Sequence, residues 1–276
     1  MGFLQERIMR FMRWYVWYFL CVMGGILRGD PHFVVLILTY NNERYVVENM
    51  VSALQQEYPY MRVLVCNDAS TDGTEQGIAA AIAQCHAYDW VYVQHNTYHK
   101  GALRNLYECI HDYVKDDEIV VMLDGDDYFP HTKVVTYLAD MYADPALWLT
   151  YGNYRCKKSG AIGQYVREIP AAFWEQGLVR TYQKKFSASH VRTFYGWLFK
   201  KIKREDLLYE DEFYPMAYDV AIMLPMLEMA RFHYRCISEV LYVYNDANPR
   251  SDHRVNWQLQ RRMADHILQR APYAPV

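Results

Sequence analysis

The chain has 276 residues, 52% hydrophobic and 16% aromatic, enough apolar material to bury a substantial core and to exclude a disordered chain. A formal net charge of -3 excludes the basic footprint of a nucleic-acid-binding protein. The six cysteines (Cys21, Cys66, Cys85, Cys109, Cys156 and Cys236) form no CxxC pair, which argues against a zinc knuckle or thioredoxin-type motif and fits a reducing compartment.

The N-terminus stands apart. Residues 14–27 carry no charge, Arg7, Arg10 and Arg13 precede them, and Trp14, Tyr15, Trp17 and Tyr18 are interfacial residue types. The run is shorter than the roughly 20 residues a membrane span needs. Residues 1–30 are therefore expected to form a hydrophobic, membrane-proximal helix, with membrane contact through residues 1–28. This places the protein at the cytoplasmic face of a membrane. The alternatives are a single N-terminal anchor with a lumenal domain, a helix packed on the core, and a cleaved signal peptide.

After Pro31 the pattern becomes regular. The apolar run 33–39 predicts a strand. In residues 43–56, Val47, Met50, Val51 and Leu54 fall at i, i+3, i+4 and i+7, one helix face, with Asn41 or Asn42 as its cap. Strands are expected at 61–66, 90–94 and 118–123, and helices at 75–85 and 102–114. The segment NDASTDGT, 67–74, is turn chemistry throughout. This alternation predicts an α/β fold with a mostly parallel central sheet, apolar strands covered by helices on both faces, and right-handed crossovers. Ligands of such sheets bind beyond the carboxyl ends of the strands. Asn41, Asp68 and Asp124 each follow a strand and should share one edge.

Beyond residue 145 the alternation breaks. Residues 147–166 predict two strands around a Lys157-Lys158-Ser159-Gly160 turn. A helix is expected at 189–202 with Ser189 as cap, and another at 217–230 kinked or interrupted at Pro225. A strand at 239–245 and a polar helix at 256–270 complete the chain.

The segment LDGDD, 123–127, sets Asp124, Asp126 and Asp127 at a strand exit. Clustered carboxylates resist ionising together, and a divalent cation relieves that. Oxygen ligands suit Mg²⁺ or Mn²⁺, which keep coordination sites open for substrate phosphates. A solvated acidic loop is the competing reading, and it would prevail for an isolated DxD.

The DxD is not isolated. LTYNNERYV, VLVCNDASTDGT and LDGDDYF occur in order, each after a predicted strand. Together they resemble the nucleotide-sugar-binding half of the GT-A glycosyltransferases, in particular the inverting family 2. The resemblance runs over residues 33–150 and more loosely to 255. It implies one GT-A domain over 31–276, with a donor half (31–150) and a smaller α+β acceptor half (151–276). It implies a nucleotide-sugar donor, a UDP-sugar by preference, a Mn²⁺ or Mg²⁺ cofactor, and a glycan, lipid-linked or protein acceptor.

Residue by residue, the resemblance assigns Thr39, Tyr40, Asn41 and Asp68 to the nucleobase, with Ser70, Asp72 and Thr74 shaping the turn. Asp124 and Gly125 lie at the ribose, and Asp124 and Asp126 at the metal; Asp127 is a third carboxylate of unassigned role. HKGALRN, 99–105, resembles a family segment lining the nucleotide pocket, so Lys100 and Arg104 are expected to face phosphate, with solvated surface as the alternative. Asp219, in MAYDVAIMLPM, is the expected catalytic base, and Glu210, Asp211 and Glu212 are its rivals. Tyr218 stands where the family usually has an acid. His190, Arg192, Asn248 and Ser251 are candidates for the acceptor side. The QxxRW motif of processive synthases is absent, so transfer of a single sugar is expected. The rival functions are a sugar nucleotidyltransferase, against which the glycine-free TYNNERY speaks, and a non-catalytic glycan-binding protein of the same fold.

Overall fold

The computed structural model describes residues 29–163, 166–183, 186–249 and 256–276. The expected helix at 1–30 lies outside these residues except at its end. In chain order the elements are β1 (Phe33–Thr39), α1 (Val46–Leu54), β2 (Met61–Asn67), α2 (Thr74–Cys85), β3 (Val91–His95), α3 (Ala102–Tyr113), β4 (Ile119–Asp124), α4 (Val134–Tyr142) and β5 (Leu149–Cys156). They continue with α5 (Ala171–Glu175), α6 (Val179–Tyr182), β6 (Thr193–Tyr195), α7 (Gly196–Lys200), β7 (Leu208–Tyr209), β8 (Glu212–Phe213), α8 (Tyr218–Ala230), β9 (Tyr234–Tyr244) and α9 (Trp257–Gln269).

Seven strands form one sheet in the order β3-β2-β1-β4-β6-β5-β9. β1 pairs in parallel with both β2 and β4, and β2 with β3. The alternation of side chains along β1 divides the core. Val34 and Leu36 join a cluster completed by α3, α7, α8 and α9, whereas Phe33, Val35 and Ile37 join one completed by α1, α2 and α4. Both faces of the sheet are thus covered by helices, and residues His32–Val276 form one unit. Among the described residues no helix is long and apolar enough to cross a membrane.

The structure corrects the expected second half. Residues 189–202 are not one helix. Thr193–Tyr195 is a strand inserted antiparallel between β4 and β5, and a short helix starts only at Gly196. Three successive β-favouring residues complete the sheet, and the buried Thr193 hydroxyl meets Tyr142 Oη at 2.8 Å and Thr150 Oγ1 at 2.6 Å. Glycine is required at 196, since a Cβ there would stand 2.3 Å from the Lys115 carbonyl oxygen. The strand expected after the Lys157–Gly160 turn is reduced, among the described residues, to a single bridge between Arg155 and Ile162. β5 pairs instead with β9, which begins at Tyr234, earlier than expected. α8 runs through Pro225 without interruption.

Two local readings also change. No side chain caps α1; the chain enters it through a turn in which Tyr45 and Val46 N–H donate to the Asn42 carbonyl, each at 2.9 Å. The buried residues of that helix are Val46, Asn49, Met50, Ala53 and Leu54, so Met50 and Leu54 lie on the core face as expected while Val47 is exposed.

Candidate active site

The in-register parallel strands bring three motifs to one edge: Thr39 of β1 stands opposite Asn67 of β2, and Leu38 opposite Asp124 of β4. This is the edge expected from the sequence. Asn41, at a positive φ of 51°, locks the first motif to the second. Its N–H donates to Ser70 Oγ at 2.9 Å, and its Oδ1 accepts from Thr71 N–H at 2.8 Å. Thr39 is buried, its carbonyl accepting from Asp68 N–H at 2.9 Å, and Tyr40 projects with 42% exposure. Asp72 Oδ1 accepts from Thr74 N–H and hydroxyl at 3.0 and 2.5 Å, so it closes the turn before α2.

Asp68 is 3% exposed and richly solvated by protein. Its Oδ1 accepts from Asn96 Nδ2 and Lys100 N–H, each at 2.8 Å, and its Oδ2 from Gly101 N–H at 2.9 Å. His99 Nδ1 lies 2.8 Å from the same Oδ2. Burial opposes ionisation here, yet the bonds from Asn105, Lys100, Asn96 and Gly101 outweigh it and hold the carboxyl below its ordinary range. The Lys100 and Arg104 side chains, expected to face phosphate, both pair with Glu108. Lys100 Nζ donates to Glu108 Oε2 at 2.6 Å and Arg104 Nε to Glu108 Oε1 at 2.8 Å.

The DGDD turn has the opposite electrostatics. Its backbone is gripped from α1, where Asn49 Nδ2 donates to the carbonyls of Asp124 and Asp127, both at 2.8 Å. Gly125 N–H bonds the Leu38 carbonyl at 3.0 Å, and a Cβ at 125 would lie 2.6 Å from that same oxygen, so only glycine fits. Asp124 Oδ1 accepts from Tyr218 Oη at 2.5 Å. Asp126 Oδ2 accepts from Asn248 Nδ2 at 2.6 Å. Asp127, 1% exposed, has both oxygens engaged, by Tyr242 Oη at 2.7 Å and Asn245 N–H at 2.6 Å. Tyr242 Oη in turn accepts from Asp124 N–H at 3.1 Å.

All three carboxyls are pushed up. Burial is the largest cause at each. At Asp126 the charge of Asp124 adds to it and raises the group to about 6 despite the Asn248 bond. At Asp127 the charges of Asp126 and Asp124 add to it. At Asp124, whose side chain keeps 28% exposure, burial prevails over the opposing pull of Arg192 and Tyr218.

β6 and the start of α8 close the site. His190 packs its ring on Tyr242 with centroids 4.3 Å apart, and its Nδ1 lies 4.0 Å from Asp124 Oδ2. Burial, and then Arg192, push its pKa well below the ordinary value, which keeps the imidazole neutral and able to accept a metal. One ligand atom each of Asp124, Asp127 and His190 lie within 4.8 Å of one another. Asp126 is not in that trio; its neighbour is Asn248. Arg192, 3% exposed, reaches Asp219 Oδ2 at 3.2 Å, while Asp219 Oδ1 accepts from Val220 N–H at 2.9 Å. His190, Arg192 and Asn248 were expected on the acceptor side. The first two lie between the DGDD turn and Asp219 rather than on an amphipathic helix, and Asn248 lies on the DGDD turn itself. Ser251 lies outside the described residues. Glu210, Asp211 and Glu212 are exposed at the tip of the β7–β8 hairpin, with Glu210 and Asp211 at positive φ as a tight hairpin turn requires.

Oxygen donors of this kind, pushed towards protonation by one another, fit a hard divalent cation. Asp124 and Asp126 each accept a side-chain hydrogen bond at one oxygen, whereas Asp127 has one oxygen on Tyr242 Oη and the other on the Asn245 backbone N–H. Sequence reasoning missed Asn49, Tyr242 and Asn245. Only Asn49 had a visible signal, a polar residue on the buried stripe of α1.

The sequence matches the Glycosyl transferase family 2 profile over residues 34–208, more than half of the chain. It is 29% identical over 130 residues, 46% of this chain and 48% of the relative, to the UDP-Glc:alpha-D-GlcNAc-diphosphoundecaprenol beta-1,3-glucosyltransferase WfaP of Escherichia coli. The chain spans less than half the length of the curated relatives it matches. By structure it is similar to S. aureus TarS 1-349 in complex with UDP, with a TM-score of 0.59, 18% identity, and coverage of 86% of this chain and 69% of that one. The mannosyltransferase PcManGT of Pyrobaculum calidifontis, in complex with GDP-Man and Mn²⁺, gives a TM-score of 0.57 at 21% identity over 90% of this chain and 66% of that one. At these identities the structural likeness is one of fold.

Proposed function

Because this chain belongs to glycosyl transferase family 2, and is therefore a glycosyltransferase, we propose that it moves a single hexosyl group from a UDP-sugar to an acceptor hydroxyl with inversion, dependent on a divalent cation. The observation that carries the reading is the DGDD turn. Three carboxyls raised by burial and mutual repulsion stand at the edge where ligands of such sheets bind. The UDP preference draws on WfaP, named for UDP-Glc, and on the UDP complex of TarS. The Mn²⁺ complex of PcManGT supports a manganese-type ion.

In this reading Asp124 and Asp126 hold the cation, with His190 alongside. A bound divalent ion supplies Lewis-acid compensation for the charge of the leaving diphosphate. Thr39, Tyr40, Asn41 and Asp68 form the nucleobase pocket, and Gly125 lets the chain pass close to the ribose. Asp219 takes the proton of the acceptor hydroxyl as that oxygen bonds to the anomeric carbon. The bond from that carbon to the diphosphate breaks with its electron pair on the phosphate oxygen, releasing the nucleoside diphosphate. Arg192 orients Asp219 by holding Oδ2, and Tyr218 ties the first turn of α8 to Asp124. Residues 31–150 serve as the donor half and 151–276 as the acceptor half, with a glycan, lipid-linked or protein acceptor. The arginine-flanked aromatic run in residues 7–27 supports membrane association at the cytoplasmic face.

Calorimetric titration with UDP, GDP and CDP, each with and without Mn²⁺, tests this. Binding of UDP only with metal is the expected result. Absence of binding under every condition would overturn the nucleotide-sugar reading and leave a fold without the activity.

A further inference from the structure

The nucleobase pocket already contains a planar heteroaromatic ring of the chain's own. His99 lies against Tyr40 with ring centroids 4.1 Å apart and an interplanar angle of 32°. Its Nδ1 stands 2.8 Å from Asp68 Oδ2. A flat ring stacked on Tyr40 with a ring nitrogen against Asp68 is the arrangement a uracil or guanine ring would adopt, because each carries a ring N–H for a carboxylate to accept.

The donors around Asp68 leave no vacant place. A carboxylate offers about four acceptor positions. Three are taken by Asn96 Nδ2, Lys100 N–H and Gly101 N–H, and the Asn105 side chain and the His99 ring nitrogen crowd what remains. Lys100 N–H and Gly101 N–H are backbone groups fixed by the loop into α3, and Asn96 is tied to the buried Asn105 at 2.7 Å. The His99 side chain alone among these is free to swing away, being 53% exposed. We propose that His99 is a plug that mimics the nucleobase. It stands in for the nucleobase between Tyr40 and Asp68, and only a base with a ring N–H recovers the Asp68 contact that is lost when His99 leaves. The proposal rests on the nucleotide-binding reading above.

The consequence is that nucleotide affinity is set by competition. Each binding event breaks the His99–Asp68 contact, and the variant His99→Ala has no contact to break. Titration of UDP in the presence of Mn²⁺ should show His99→Ala binding roughly three- to tenfold more tightly than the parent. CDP must displace the same side chain and should gain by a similar factor, while binding more weakly than UDP to parent and variant alike because its base has no ring N–H for Asp68. In the parent protein the His99 imidazole resonance should move on saturation with UDP. Equal or weaker UDP binding by His99→Ala would overturn the plug, weaker binding marking His99 as a contact of the bound nucleotide. An unmoved His99 resonance under saturating UDP would overturn it as well. If the parent itself binds neither UDP nor GDP with Mn²⁺, the nucleotide site is refuted, an outcome distinct from any difference between parent and variant.

Discussion

Asp68 and the DGDD turn stand at the ends of β2 and β4, the two strands that flank β1, on one sheet edge, yet they solve opposite electrostatic problems. Asp68 is surrounded by amide donors and held below its ordinary pKa. Asp124, Asp126 and Asp127 are surrounded by one another and pushed above theirs. The first carboxylate is matched by the protein, and its charge is held in place by the loop that leads into α3. The second group is left with a surplus that protons or a cation relieve. Burial is common to both, so burial alone does not separate architecture from chemistry; the balance of donors against like charges does.

That contrast can be broken or sharpened by substitution. The largest effect is expected at the proposed base: Asp219→Asn should leave Mn²⁺-dependent UDP affinity in place and lower the transfer rate by about 10²–10⁴-fold, as read by single-turnover kinetics beside calorimetry. Transfer at the parental rate would assign the base elsewhere. Asp126→Ala should reduce metal-dependent nucleotide binding by roughly 10–100-fold or more, while binding without metal stays unchanged. A metal-independent loss would mean that Asp126 is matched after all.

The surplus charge also makes a pH prediction. Asp126 titrates at about 6, against roughly 3.9 for an aspartate in an unfolded chain. The native protein therefore carries extra protons between those values. The stability this contributes is complete below the unfolded pKa and is lost as pH rises through about 6. Cation binding needs the ionised form, so the Tm increase produced by Mn²⁺ should grow from pH 5 to pH 7.5, most steeply near 6. Differential scanning fluorimetry at several pH values reads this, and a pH-independent Mn²⁺ shift would count against Asp126 as ligand. Asp68 has the opposite sign, because its contribution is present at neutral pH and is lost on acidification.

Smaller effects follow at supporting residues. Tyr242→Phe removes the hydroxyl that joins Asp127 to Asp124 N–H and should cost about 1–3 kcal/mol of stability in urea titrations, together with weaker Mn²⁺ binding. Asp72→Ala, on the matched side, should cost about 1 kcal/mol through loss of the turn closure before α2.

The parallel half was legible in the sequence because each strand there is a continuous apolar run that ends in polar turn residues. Asp68, Asp124 and Asp126 could be placed on one edge from that alone. The antiparallel strand β6 was not legible. Three residues followed by a glycine carry no periodicity of their own, and their pairing partners lie far away in the chain. A helix over 189–202 gives no sign that His190 and Arg192 sit against Asp124 and Asp219. Tyr242 is one of 26 tyrosines, and nothing but three-dimensional closure marks it. The pairing of Lys100 and Arg104 with Glu108 is legible for Arg104, four residues away on one helix, and not for Lys100, which lies before the helix begins.

Asn49 has a consequence for how the site can change. Its single amide clamps the main chain of the DGDD turn at both ends, and Gly125 seats that turn on β1, so the contour of the turn is written in residues that carry no charge. The carboxylates are decorations on a frame that other positions maintain. Amide-for-acid replacements at 124 and 126 can therefore dial the number of negative charges up or down while the frame, Asp127 included, persists, and a lineage could trade one metal preference for another without rebuilding the loop.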